Sequence, residues 1–495
     1  MRKVLVLFMV FLLLLTVFSG CKEKTIENAV TTSDTTSSNS ATTESLYDDE
    51  GYLKDNIPEA TNFNNEVVNV LSWKIALQEF YTEGESGDLV NNALYYRLRN
   101  VESRLNVSFN ITYADGNFKN ASNFISKVEQ ADKLGADGYD IIASYSGVAA
   151  LGAMRGFYLD LAEQDYPDFS MPWWPDDLVN SISINDKLYF ASGDISTHLI
   201  YGLFAVYVNN DLLEQINATY DPYELALSGG WTIEKMMEIS KDIYIDNNLN
   251  DTTDNYDTYG FIFCNSVSID PLLQGSGINI VTKNDDGELI IDPTLNSEKS
   301  VDLISKMCQY VSSSRGVYIN SEYCAIFPDG NALFMMAPIS VSPEYLTNCA
   351  CKYGVVPIPK YDDEQESYIT TMNHNFSMFS IARNTNNPEM SATVIEALAS
   401  EGYRTVSPVI FETAFQVRYS ENETISQMYD LIRDGLKFDI GRLYRMAFAT
   451  GTVPDDLFRD AIRYDNANWN RTCRSYASSW STSLKDITDT LTEIN

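Results

Sequence analysis

The hydrophobic pattern opens with one continuous apolar run, Val4 to Phe18, placed after Arg2 and Lys3 and before Ser19, Gly20 and Cys21. A run this short is below the ~20 apolar residues of a spanning helix, and a basic front with a small-residue end is the pattern of a secretory signal. Residues 1–20 are therefore expected to be a leader. The next stretch, "TTSDTTSSNSATTES" from Thr31 to Ser45, has almost nothing to bury. Residues 21–64 are expected to stay disordered as a tether, with a reach of roughly 35 Å for ~40 flexible residues.

From Glu66 the periodicity becomes that of a folded body. "EVVNVLSW" reads as a buried strand ending at Trp73, and Val90, Ala93, Leu94, Leu98, Val101 and Leu105 recur at helical spacing. "VSFNITY" alternates Val107, Phe109, Ile111 and Tyr113 as a strand does; a polar helix near Lys119 to Leu134 and the short strand "YDIIASY" follow. Strands alternating with helices predict an α/β fold with a parallel sheet, whose ligands bind beyond the carboxyl ends of the strands. Those ends are Trp73 and Ser144, Tyr145 and Ser146. A second α/β region starts after about Leu203 with "FAVYVNNDLLEQ". Thr232 is placed to cap a helix preceded by Trp231, and Asn387 with Pro388 to open another. At the end of the chain Trp469, Cys473, Tyr476, Trp480, Leu484, Ile487 and Leu491 form one stripe, the buried face of a long helix.

Charge changes the picture by exclusion. With 34 Lys+Arg against 69 Asp+Glu the net charge is -35. No basic stripe exists to displace counterions from phosphates, so nucleic acid is not an expected partner. The 31 Tyr and 23 Phe suit a neutral polar ligand such as a carbohydrate, and equally a large core. Six cysteines follow Cys21, an even number that permits disulfides in an exported chain without fixing their pairing. Cys349-x-Cys351 has no second Cys pair or nearby His to complete a zinc site.

Catalytic patterns are sparse. There are two histidines, His198 and His374, and no Gly-x-Ser-x-Gly elbow, Gly-rich phosphate loop or His-Glu-x-x-His. The acid pairs Asp176-Asp177 and Asp362-Asp363 read as solvated surface. No cofactor is required, but "DNNLNDTTDNYD" offers a structural calcium candidate. Asp246, Asn248, Asn250, Thr252, Asp254 and Asp257 occupy the first, third, fifth, seventh, ninth and twelfth places of a calcium loop, although Asp251 stands where such loops need Gly. The stretch "DFSMPWWPDD" places Trp173 beside Trp174. Adjacent side chains of an extended segment point to opposite faces. One ring is thus expected in the core and the other at a cleft, with Trp174 the cleft candidate.

Several segments taken in order resemble the extracellular solute-binding proteins of family 1, the sugar-binding lipoprotein components of ABC importers of the Gram-positive type. They are "GFYLDLAEQDYPDFSMPWW", "INDKLYFASGDIS", "FAVYVNNDLLEQ", "GGWTIEKMMEIS", "FPDGNALFMMAP", "YGVVPIPKYDDEQ" and "FSIARNTNNPEMSATVIEALAS". "FSGC" is similar to a lipobox, with Phe18 where Leu is usual, which implies lipidation of Cys21. The resemblance implies a two-lobed, periplasmic-binding-protein-like fold of type II. Lobe 1 would take residues 65–203 and 372–435, and lobe 2 residues 204–371 and 436–495. The crossings then fall beside His198 and His374. The implied ligand candidates are Trp73, Ser144, Tyr145, Trp173, Trp174, Asp194, His198, Tyr201, Asn373 and His374.

The implied function is capture, not catalysis. A monomeric binding protein, held at the extracellular face of the membrane by its lipid alone, would close on a mono- or oligosaccharide and deliver it to permease subunits. Ile339 in "MMAPISV" and Ser144-Tyr145 in "ASYSG" stand where maltodextrin binders carry stacking aromatics, which weighs against long maltodextrins. A peptide or polyamine ligand, an adhesin and a surface glycosidase are the competing readings. The glycosidase would need two facing carboxylates, and Asp194 is the one acid expected at the cleft.

Overall fold

The computed structural model describes residues 47, 51–81, 83–135, 138–175, 178–416, 423–449 and 451–494. The leader, Cys21, most of the tether and the Asp176-Asp177 pair lie outside the described residues. Among those described, no helix is long and apolar enough to cross a membrane. The chain divides into two units, Met1–Gly51 and Tyr52–Asn495, and everything below belongs to the second.

The first sheet has the order β12-β3-β1-β2, built from β1 (Glu66–Trp73), β2 (Val107–Ala114), β3 (Ile141–Tyr145) and β12 (Ser377–Ile381). β1 runs parallel to β2 and β3, with Val70 between Ile111 and Ile141, while β12 returns antiparallel along β3. Val68, Val70 and Leu71 are fully buried, as a central parallel strand covered on both faces must be. The helix Leu89–Leu105 starts on the carboxylate of Asp88, which accepts from the Asn91 amide, and ends on Asn106 in the left-handed region.

The second sheet has the order β11-β4-β10-β6-β5, with β9 also paired to β6. Its strands are β4 (Phe204–Asn209), β5 (Tyr244–Ile245), β6 (Thr258–Phe263), β9 (Val317–Ile319), β10 (Ala332–Pro338) and β11 (Tyr353–Val356). Between β6 and β9, β7 (Val281–Lys283) and β8 (Leu289–Ile291) form a separate hairpin. Every residue of β4, β6, β10 and β11 is buried, so these strands read as continuous apolar runs rather than alternations. Trp231 is fully buried, its indole donating to the Pro357 carbonyl at 2.9 Å, and Thr232 caps the following helix as expected.

The chain passes between the two sheets at adjacent places. Leu203 bridges Met372, the Phe204 amide donates to the Thr371 carbonyl at 3.0 Å, and Thr370 bridges Leu436. Two expectations shift here. Residues 372–435 do not all stay with the first sheet, because the helix Glu423–Asp434 packs on β11 and on the helix Pro222–Ser228. The tether also ends earlier than residue 64: Ile57 is buried and Asp55 pairs with Arg104 at 2.6 Å and with Ser400 at 2.6 Å. Asn56 donates to Asp168 and accepts from the Tyr166 hydroxyl, so side-chain and backbone bonds dock a segment that lacks periodicity. The helix Trp469–Glu493 buries its predicted stripe, with Tyr476 half-buried, against both Glu298–Ser313 and Ser146–Met154.

Candidate functional site

The loops beyond β1 and β3 were the first ligand candidates, and their side chains are instead enclosed. Trp73 and Ser144 are fully buried and Tyr145 nearly so. The Trp73 ring lies 5.5 Å from that of Tyr145 and 6.2 Å from His198, and its indole donates to Ser377 Oγ at 2.7 Å. What holds them is a residue the pattern did not single out, Glu79. Its buried carboxylate accepts from Ser196 Oγ and Ser377 Oγ at 2.5 Å each and from the His198 amide at 3.3 Å. Arg97, also fully buried, donates to the Glu79 backbone carbonyl and to that of Ile195. Burial works to raise the Glu79 carboxyl, but the surrounding donors, His198 first, bring it below its ordinary value. Nothing in "LQEF" marks Glu79 as different from a surface acid.

At the crossings, His198, Tyr201 and Asn373 remain partly open. His198 Nδ1 stands 3.5 Å from Glu79 Oε1. The Asn373 amide donates to Gly202, and the end of β10 is pinned alongside by Ser340 donating to the Tyr201 carbonyl at 2.9 Å. His374 is a correction: it is buried and belongs to an ion network. Its Nε2 is 3.2 Å from Asp455 and 3.7 Å from Asp270. Arg459 grips Asp270 through Nε and Nη2 at 2.5 and 2.6 Å and reaches Asp455 at 3.0 Å. Arg442 reaches Asp270, the Met372 carbonyl and Thr371, and Arg445 lies 3.6 Å from Asp455.

Among the described residues Asp270, His374 and Asp455 are the one group with metal-ligand spacing. Three guanidiniums already neutralise its carboxylates, so the arrangement is an ion network and not a cation site. Burial, then Arg442, hold His374 well below the usual imidazole range, so it is neutral. The calcium-loop residues bond among themselves. Asp254 accepts from the side-chain amides of Asn248 and Asn250, Asp246 from the backbone of Asn250 and Asp251, and Asp257 is turned inward to Tyr244. Thr252 spends its hydroxyl on Asn250. Asp251 takes, at φ 57°, the left-handed conformation for which such loops use Gly.

The tryptophan pair also departs from expectation. The segment turns instead of extending, with Met171 and Trp174 amides bonding back to Asp168 and Met171. Both rings are therefore directed the same way, and both are fully buried. The Trp173 indole donates to Glu396 Oε1 at 2.9 Å and the Trp174 indole to Oε2 at 3.0 Å, where the Asp168 amide adds a third donor at 3.2 Å. Burial pushes the Glu396 carboxyl up to about 7 despite these donors. Gly193 permits the packing, since a Cβ there would fall 2.3 Å from the Trp173 carbonyl.

Trp174, though buried, borders a cavity. With Pro172, Gly193 and Asp194 it forms one wall of that cavity, whose volume is about 580 Å³. Leu199, Ile200 and Leu203 of the first crossing also line it, as do Tyr403, Phe411, Tyr429 and Arg433. Tyr429 and Arg433 belong to the helix that packs on the second sheet, so elements of both lobes meet around this space. Asp194 receives Arg433 at 2.9 Å and the Ser407 hydroxyl on its other oxygen, and Arg433 lies over the Tyr403 ring at 5.1 Å. Burial pushes the Asp194 carboxyl above its ordinary value, against the pull of Arg433 and Ser407.

No protein-family profile and no curated protein matches the sequence. Among solved structures the chain is similar to a cyclo/maltodextrin-binding protein complexed with maltotetraose, at 12% identity and a TM-score of 0.52, over 87% of this chain and 97% of that one. The fold is that of the two-lobed binding proteins. Two further similar structures have TM-scores below 0.5 and bear no weight in that statement. One is a maltose/maltodextrin-binding domain from Bdellovibrio bacteriovorus (14% identity, 86% and 99% covered, TM-score 0.47). The other is a maltose-binding periplasmic protein from Listeria monocytogenes (14%, 87% and 99%, 0.49).

Proposed function

We propose that this protein is the solute-binding lipoprotein of an ABC importer, which captures a carbohydrate where its two lobes meet and hands it to a permease. The observation that carries the reading is the cavity at the crossings. Its volume lies in the range of small-molecule sites, ~300–1,000 Å³. Tyr403 and Tyr429, both partly open, supply faces for sugar C–H surfaces, backed by Trp174 and Phe411, and the Asp194–Arg433 pair supplies fixed groups for hydroxyls. Because the walls come from both lobes, a ligand held between them favours the closed arrangement. Shared fold with a maltotetraose-bound protein supports the ligand class. Cys21 and the leader support anchoring at the extracellular face.

The test is calorimetric titration and thermal shift of the protein against mono- and oligosaccharides, amino acids and polyamines. A hundredfold excess over Kd stabilises a fold by about 2.7 kcal/mol. Tyr403→Ala should abolish a sugar response that Phe118→Ala leaves intact. Phe118 is a 54% exposed ring beyond β2, under Arg445, and the opposite result would place the ligand at the strand ends instead. A shift with polyamine or peptide and none with any sugar refutes the carbohydrate assignment.

A further inference from the structure

Cys349 and Cys351 lie on one tight turn between β10 and β11 and bring their sulfurs to 3.3 Å. Both are buried, at 1% and 5% exposure. The backbone around them is held from several sides. Cys349 donates to the Leu346 carbonyl at 3.1 Å and Ala350 to Pro328 at 2.7 Å. Lys352 donates to Asp211 at 2.9 Å and accepts from the Asn210 amide at 2.8 Å. Both thiols are directed at the same carbonyl, that of Phe327, at 4.0 and 3.8 Å. The pair thus shares one small enclosed space on a turn that fixes the start of β11.

A disulfide needs its sulfurs about 2.05 Å apart, so only about 1.2 Å separates contact from bond, within reach of small side-chain rotations. We propose that Cys349 and Cys351 are a dithiol–disulfide pair that closes when the folding chain meets a disulfide oxidant, such as a small-molecule or protein disulfide. One cysteine, as thiolate, attacks a sulfur of the oxidant, forming a mixed disulfide and expelling one thiolate. The second cysteine then attacks the protein sulfur of that mixed disulfide and expels the other. Two electrons pass from the protein dithiol to the oxidant, and the two thiol protons end on its two released thiols. Closure belongs to folding because the native pair is enclosed: the mutual hydrogen bond, and then burial, push the Cys351 thiol well up from its ordinary value and leave little thiolate. A bond across a single intervening residue restrains the unfolded chain little, so it acts on the geometry of the turn more than on global stability.

The full chain, unfolded and reduced, is refolded in a mixture of reduced and oxidised glutathione, denatured, alkylated and digested with trypsin. The peptide Gly316–Lys352 contains Cys324, Cys349 and Cys351. It should carry one label instead of three and be lighter by two hydrogens, with reduction restoring all three labels. Cys349→Ser and Cys351→Ser should each give a peptide with two labels under the same conditions. Three labels on the wild-type peptide, or a link from either cysteine to a different peptide, overturns the proposal. The readout is independent of any ligand, so it stands whatever the sugar screen returns.

Discussion

Glu396 and Asp455 are both fully buried acids, and the chain treats them in opposite ways. Glu396 meets neutral donors, two indoles and a backbone amide, and the charge that acts on it is the like charge of Asp55. Asp455 meets Arg459, Arg445 and His374. Burial alone would raise both. At Asp455 the guanidiniums win and hold the carboxyl well below the usual range, whereas at Glu396 burial wins and the group is poised at about 7. Hydrogen bonds from neutral groups satisfy a carboxylate without supplying the opposite charge that makes burial of its own charge tolerable. One site is locked ionised beside the crossing; the other is a titratable post behind the cavity wall.

The largest effect that tests this contrast is Arg459→Met. It leaves Asp270 and Asp455 buried beside an incomplete set of cations, which costs about 3–5 kcal/mol. Urea unfolding measures it. Glu396→Gln removes no counter-charge but turns an amide N–H toward at least one of the buried donors, so it should cost about 1–2 kcal/mol near pH 8, less than Arg459→Met. Equal losses from the two would end the distinction.

The next effect is the dependence on pH, where the two sites have opposite signs. His374 and Asp455 have lowered values in the folded state, so their contribution is complete above the unfolded values, 6.5 for His374 and 3.8 for Asp455, and is lost as pH falls below each. Glu396 rises from 4.5 to about 7 on folding. The folded state therefore binds the extra proton, and its contribution is complete below 4.5 and lost as pH rises through about 7. Midpoints in urea measured from pH 5 to 8 should show wild type losing on the order of 3 kcal/mol relative to Glu396→Gln across that window. Parallel profiles would show that Glu396 is ionised throughout.

How much of this was legible beforehand follows from where the signal lies. β1, β3 and β4 announce themselves because a covered parallel strand is a short apolar run, and Asn387 with Pro388 announces its helix because the cap is local. The buried charges give no such signal. In "DDLFRDAIR", Asp455 and Arg459 have the spacing of a solvated helical face, and they are interior because Asp270 and Arg442 arrive from elsewhere in the chain. Glu396 sits in a helix buried from Met390 to Ser400, and its partners lie more than two hundred residues away. The crossings beside Leu203 and Met372 depend on topology, which no local pattern carries. Nor does any local pattern say that Trp73 and Tyr145 are enclosed, since Ser377 and His198 pack around Trp73 from far along the chain.

The smallest expected effect divides the Glu396 site itself. Trp173→Phe and Trp174→Phe each delete one indole donor from the same carboxylate, leaving its oxygens with fewer partners in a dry setting, at a cost of about 1–2 kcal/mol apiece. In stability the two variants should be similar. In ligand affinity they should part, because Trp174 forms part of the cavity wall and Trp173 does not. Loss of a donor also favours the protonated acid, so both variants should move the Glu396 transition to higher pH, which the same urea series reads out. If Trp173→Phe weakens sugar binding as much as Trp174→Phe, the carboxylate couples the two rings so tightly that neither can be called structural alone. If only Trp174→Phe does, the two adjacent tryptophans share an anchor and differ in what their far edges meet.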